Sequence, residues 1–167
     1  MPITSSTSTP RGAPVYAALD LGTNNCRMLV ARPAGRSFRV IDAFSRVTRL
    51  GEGLGGSGML SEAAMARTLD ALEACAEKMA RNRVVRARLV ATEACRRAAN
   101  GAEFTARVKE RIGLEPDIIS TSEEAELALS GCASLLDPRV PWALVFDIGG
   151  GSTELVWVRN SSAGQQV

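Results

Sequence analysis

Two short stretches of the 167-residue chain carry residue types that can hold a phosphorylated ligand. They are Asp20-Leu21-Gly22-Thr23-Asn24-Asn25 and Asp147-Ile148-Gly149-Gly150-Gly151-Ser152-Thr153. In each, an acid that closes an apolar run is followed by glycine and then by hydroxyl or amide side chains. Glycine tolerates positive φ and lacks Cβ, so successive backbone N–H groups can line one concavity and approach an anion closely. Thr23, Asn24, Asn25, Ser152 and Thr153 add neutral donors, whereas Asp20 and Asp147 would repel a phosphate unless a divalent cation lay between them. Acid, glycine nest and hydroxyl together suit Mg²⁺ and phosphate. A tight hairpin whose Asp and Ser merely satisfy their own turn is the competing explanation, and for the first stretch alone it is the simpler one. The triple glycine and the repetition reverse that preference: Asp147 falls on Asp20, Gly149 on Gly22 and Ser152 on Asn25, at a domain-sized distance.

Composition narrows the chemistry further. Histidine is absent, which removes Ser-His-Asp and Cys-His catalysis and the commonest metal ligand, leaving carboxylates, arginines, hydroxyls and backbone amides. With 20 Lys and Arg against 18 Asp and Glu, the net charge of +2 argues against a nucleic-acid or polybasic membrane partner. Six arginines between Arg81 and Arg97 suit anion recognition by the guanidinium fork, although a solvated face or compositional bias explains most of them equally well. Cys26, Cys75, Cys95 and Cys132 are too far apart for a CxxC pair and sit in apolar segments, as buried thiols of a reducing compartment do. No apolar run reaches membrane-spanning length, and MPITSSTSTPRGAP lacks the apolar core of a signal peptide. Residues 1–14 therefore read as a disordered leader of a cytoplasmic protein.

The elements that must position these residues alternate along the chain. VYAAL (15–19) and CRMLVAR (26–32) bracket the first glycine turn as a β-hairpin. FRVIDAF (38–44) and SRVTRL (45–50) read as two further strands of the same meander. GEGLGGSGML spells GxGxxG at Gly51, Gly53 and Gly56 but follows antiparallel strands rather than a βαβ turn, so it reads as a mobile loop. Met65, Leu69, Leu72, Ala76 and Met79 recur at helical spacing behind a Ser61 cap, with Lys78 and Arg81 in the last turn. Residues 84–91 form a strand, 101–113 a helix stopped by Gly113, 117–120 a strand, and 122–136 a helix with Ala125, Ala128, Leu129, Cys132 and Leu136 inward. ALVFD (143–147) and ELVWV (154–158) bracket the second glycine turn. Trp142 and Trp157 read as packing residues, and residues 160–167 as a loose tail.

Four segments in order, YAALDLGTNNCRMLVAR, ATEACRRAANGAEF, IISTSEEAELALSG and VFDIGGGSTELV, resemble successive signatures of the exopolyphosphatase and guanosine pentaphosphate phosphohydrolase family. That family belongs to the superfamily of sugar kinases, heat-shock ATPases and actin, and the resemblance runs from about residue 15 to 159. It implies an α/β, ribonuclease H-like (actin-like ATPase) lobe, with a mixed five-stranded sheet flanked by helices and a cleft against a second lobe. On this basis residues 15–140 are phosphatase lobe I and 141–159 the first hairpin of lobe II, the rest of which is expected to be absent. The resemblance further implies Mg²⁺-dependent removal of terminal phosphate from polyphosphate, or hydrolysis of pppGpp to ppGpp. Carried over by position, the phosphate loops fall on Asp20 to Asn25 and Asp147 to Thr153, the cleft arginine on Arg96, the general base on Glu124, and the metal-associated acids on Asp147 and Glu154. Thr23 and Asn25 stand where the family usually has serine.

The residues themselves leave several of these roles open. Thr121 and Glu124 are spaced as a capping box, and an acid in the first helical turn also complements the macrodipole. By sequence alone capping explains Glu123 and Glu124 better than catalysis does, and only the resemblance singles out Glu124. A kinase or chaperone-type ATPase of the same superfamily is a second enzymatic reading. A binding module that grips phosphate chains or alarmone without turnover is a third. Polyphosphate and pppGpp are not distinguished, and the second hairpin is free either to fold back on the first lobe or to pair in a homodimer.

Overall fold

A computed structural model of the chain describes residues 12–35, 37–161 and 164–166. Strand β1 (Val15–Leu21) buries alternate residues, Val15, Ala17, Leu19 and Leu21, as a strand covered on one face must. It lies at the centre of a five-stranded sheet of order β3-β2-β1-β4-β5. β2 (Asn25–Ala34) and β3 (Ser37–Val47) follow as antiparallel neighbours, while β4 (Val84–Ala91) and β5 (Asp117–Ile118) run parallel to β1. The mixed sheet is the one expected, with two changes. Residues 38–47 belong to one strand, not two, because a register shift beside Val30 absorbs Ile41 and lets β3 run on to Val47, and 48–50 lie outside it. The parallel edge strand β5 is only two residues long.

The segment read as a loop after β3 contains a one-turn helix, α1 (Leu54–Ser57), bounded by Gly53 and Gly58 in the left-handed region. α2 (Glu62–Arg81) starts where Ser61 Oγ accepts a hydrogen bond from Ala64 N at 3.2 Å, and it packs Met65, Ala71, Leu72 and Cys75 onto the sheet. After β4 comes a helix that the sequence periodicity does not reveal, α3 (Glu93–Arg97), too short to show any. α4 (Gly101–Ile112) ends at Gly113, whose φ of 70° is the left-handed cap that glycine adopts without strain. α4 contributes Phe104 and Val108 to the same core. Cys26, Cys75 and Cys95 are buried free thiols, whereas Cys132 is partly exposed.

The helix expected at 122–136 is α5 (Thr121–Cys132), continued by a 3₁₀ turn over Ala133–Leu135. Its cap is Ser120, whose Oγ accepts from Glu123 N at 3.1 Å. The capping pair is therefore Ser120 with Glu123, one residue earlier than the Thr121 and Glu124 spacing indicates. β6 (Trp142–Ile148) and β7 (Thr153–Ser161) form the second hairpin, and β8 (Gly164–Gln166) extends it to a three-stranded sheet. The tail expected to be loose thus contributes to β7 and β8 as far as the described residues go, whereas residues 1–11 of the expected leader lie outside them. One face of this hairpin packs Val156 and Val158 against Leu129 of α5. The other exposes Trp142, Leu144, Phe146, Ile148, Leu155 and Trp157, so the two tryptophans are not packing residues. No helix among the described residues is long and apolar enough to cross a membrane.

Two glycines test this packing. A Cβ at Gly101 would lie 2.2 Å from the Cys95 carbonyl oxygen, whereas one at Gly131 would meet nothing within 4 Å. Gly101→Ala is expected to lower unfolding free energy by roughly 3 kcal/mol, and Gly131→Ala to raise it by about 0.5 kcal/mol through helix propensity. Urea titration of the two variants beside the parent chain checks both signs.

Candidate functional site

The parallel strands β1, β4 and β5 deliver their C-terminal ends to one edge of the sheet, the usual position for a ligand crevice in open α/β sheets. There β1 runs into Gly22, β4 into Thr92 and Glu93, and β5 into Ile119 and Ser120. The second glycine turn, Gly149 to Ser152, comes to the same place from the end of β6. Both turns close with the same backbone bond: Gly22 N donates to Asn25 O at 2.9 Å, and Gly149 N to Ser152 O at 2.9 Å. The repetition seen in the residues is a repetition in geometry.

None of Gly22, Gly149, Gly150 or Gly151 has a positive φ; close approach, not a left-handed backbone, is what calls for glycine here. A Cβ at Gly150 would fall 2.5 Å from Asn24 Nδ2, and one at Gly151 would fall 2.7 Å from Thr23 Oγ1. The first turn is held from behind: Asn24 O accepts from Thr48 N at 2.8 Å and from Arg49 N at 3.0 Å, while Thr23 O accepts from Gly51 N at 2.9 Å. Arg49 takes a φ of 49° to make its bond.

Between the turns lies a cavity of about 260 Å³. Of the residues singled out in the sequence, Asp20, Gly22, Thr23, Asn24, Asn25, Glu124, Asp147, Gly149, Gly150, Gly151 and Ser152 line it. Arg96, Thr153 and Glu154 do not. Thr153 starts β7, and Glu154 sits opposite Asp147 in the hairpin ladder, on the same face as that acid. Two lining residues, Arg27 and Thr92, were not anticipated. Strand alternation from Asn25 places Arg27 on the cavity face, a signal that the sequence does contain. Thr92 is visible only once β4 and α5 are packed together.

Arg96 lies half-buried behind the cavity wall. Its Nη2 donates to Glu93 Oε2 at 2.7 Å and to Glu124 Oε2 at 3.1 Å, and its Nη1 donates to Ile119 O at 2.7 Å. Desolvation pushes the Glu124 carboxyl above the usual range; the bond from Arg96 opposes this, Glu154 adds to the rise, and a Thr92 hydrogen bond opposes it. A raised pKa makes a carboxylate at a cavity wall a stronger proton acceptor than a fully solvated one. Partial desolvation likewise raises Asp20, with Arg27 pulling it back and Asp147 pushing it further up.

Hard carboxylate oxygens at this cleft suit Mg²⁺. Glu154 is buried and its Oε1 has no hydrogen-bond partner, an unmet acceptor beside Asp147 that a cation would satisfy. Among the described residues no three His, Cys, Asp or Glu side chains gather closely enough to hold a metal unaided.

A mixed sheet flanked by helices, with paired acid-led glycine turns facing each other across a cleft, defines an actin-like ATPase type of lobe. The model of the Ppx/GppA phosphatase family matches residues 29–167, and the chain belongs to that family. It is 37% identical over 147 residues to the guanosine-5'-triphosphate,3'-diphosphate pyrophosphatase of Photobacterium profundum, covering 86% of this chain and 29% of that protein. A solved Ppx/GppA family member from Aquifex aeolicus superposes with a TM-score of 0.77 at 32% identity, over 88% of this chain and 48% of its own. An exopolyphosphatase from Cytophaga hutchinsonii gives 0.82 at 26% identity, over 91% and 49%. The chain thus spans about half the length of these solved structures and less than a third of the curated relative.

Two outcomes follow from the geometry. Gly150→Ala is expected to lower unfolding free energy by about 1–3 kcal/mol, and adding Asn24→Ala in the same chain to recover at least half of that loss; a double-mutant cycle in urea measures the coupling. An acid whose pKa is raised on folding favours the native state below its unfolded pKa and loses that contribution as pH rises through the folded value. Asp20→Asn is accordingly expected to raise Tm at pH 7 without divalent cation, which thermal unfolding of the variant beside the parent chain checks.

Proposed function

We propose that the chain carries the phosphate-binding and proton-accepting part of a phosphoanhydride hydrolase that removes the terminal phosphate of inorganic polyphosphate or of guanosine pentaphosphate. The observation that carries this reading is the presence of both glycine turns and the Glu124 carboxyl around one cavity of about 260 Å³. The names of the relatives support it and point both ways on substrate, one being a pyrophosphatase of guanosine-5'-triphosphate,3'-diphosphate and another an exopolyphosphatase. We infer a cytoplasmic setting from the free thiols.

Phosphoryl transfer asks a protein for charge neutralisation, alignment and a water in line, with little covalent work. The backbone N–H groups of the two turns other than those of Gly22 and Gly149, which close the turns, bind the terminal phosphoryl oxygens with the Thr23 and Ser152 hydroxyls. Asn24 and Asn25 orient the penultimate group, and Arg27 offers a cation at the cavity wall. Glu124 accepts a proton from the attacking water. The new P–O bond forms on the terminal phosphorus as its bond to the bridging oxygen breaks, the shortened chain leaving with that oxygen. Asp147 and Glu154 would hold Mg²⁺, which would neutralise phosphoryl charge when bound. Arg96 contributes by holding Glu124 rather than by lining the phosphate cavity.

Phosphate release from long-chain polyphosphate and from pppGpp, with Mg²⁺ and with excess chelator, tests the reading. The expected result is Mg²⁺-dependent release that falls by about 10²- to 10⁴-fold in Glu124→Gln. Release undiminished in that variant would remove Glu124 as the base, and binding without release would leave a phosphate-chain binding module.

A further inference from the structure

Arg96 serves two acids with one nitrogen. Nη2 donates to Glu93 Oε2 at 2.7 Å and to Glu124 Oε2 at 3.1 Å, while Nη1 is taken by the Ile119 carbonyl. All three charged side chains are largely buried, with 18% of Glu93, 22% of Arg96 and 16% of Glu124 exposed. An Nη nitrogen carries two N–H groups, so Glu93 and Glu124 each take one, and Arg96 meets Glu124 through one carboxylate oxygen only. Left to itself, a guanidinium prefers to grip a carboxylate with two parallel N–H bonds, the stronger arrangement. Glu93 and Ile119 O compete with Glu124 for the Arg96 donors that such a grip would use. Glu93 also faces the opposite side of the cleft: a Cβ at Gly151 would come within 3.3 Å of Glu93 Cγ, so the stem of Glu93 leaves no room for a side chain on the second glycine turn.

We propose that Glu93 is a positioning residue for the reaction: by occupying half of Arg96 Nη2 and lying beside Gly151, it keeps Arg96 bound end-on to Glu124 through Oε2 and so holds that carboxylate in place at the cavity wall. The proposal rests on the reading of Glu124 as the base. It assigns Glu93 no contact with substrate. What Glu93 supplies is an acceptor oxygen at a fixed place, so glutamine, which keeps that oxygen, should replace it better than alanine does.

The test compares the full chain with Glu93→Ala and Glu93→Gln. Turnover of polyphosphate is expected to show kcat lowered about 10- to 100-fold in Glu93→Ala, the range that a small misplacement of a catalytic group produces. KM should stay within about threefold, and Glu93→Gln should recover most of the loss. The second readout needs no turnover: the ¹⁵N signals of the Arg96 guanidinium, assigned by their loss in Arg96→Lys, are expected to shift in Glu93→Ala and to stay near the parent position in Glu93→Gln. Unchanged Arg96 signals in Glu93→Ala overturn the proposal, as does an equal loss of kcat in the two variants accompanied by a rise in KM. Should the parent chain release no phosphate, the hydrolase reading fails on that result, and the positioning role, which presupposes a working base, falls with it even where the Arg96 signals shift.

Discussion

Gly150 and Gly151 lie so close to Asn24 and Thr23 that no side chain fits between them, and the cleft depends on this contact. A cavity built between two turns needs its walls at a fixed distance, and here that distance is set by backbone meeting side chain. The first turn cannot retreat, because its carbonyls are bonded to the 48–51 segment behind it and Thr23 is itself lodged against Gly51. The second turn is carried by a hairpin whose inner face is anchored on α5, the same helix that bears Glu124. One helix therefore sets both the wall opposite the first turn and the carboxylate between the walls.

How α5 begins decides which acid faces the ligand. With Ser120 as cap, Glu123 is the residue whose amide is satisfied, and its side chain turns outward to Arg88 at 2.6 Å. Glu124, one residue on, turns inward to Arg96.

Much of this was legible in the residues. Alternation in β1 and β2, helical spacing in α2 and α4, and the cap at Ser61 and stop at Gly113 are local signals, and the structure follows them. The twin turns were legible because one chemical pattern occurs twice. What escaped the sequence depends on packing between distant elements: α3 is shorter than any period, and the placing of Arg96 between Glu93 and Glu124 has no local signature. The N-terminus of α5 misled because Ser120, Thr121 and Ser122 are all able caps, so composition could not choose among them. The two tryptophans were misplaced because large apolar side chains are ordinarily inside, and here alternate residues of β6 and β7 present them outward.

The wide separation of the two turns along the chain has a bearing on how the protein comes into being. The β1–β2 hairpin pairs residues close in sequence and can form as soon as it is synthesised. Its partner turn must be brought back across the whole intervening sheet and its helices, a closure whose entropy has to be met before any contact rewards it. A nascent chain emerging at ordinary rates of synthesis therefore presents the first turn alone, as an open half-nest beside Asp20, until residues 149–152 have emerged. The cavity that needs both walls arises only when the β6–β7 hairpin docks on α5.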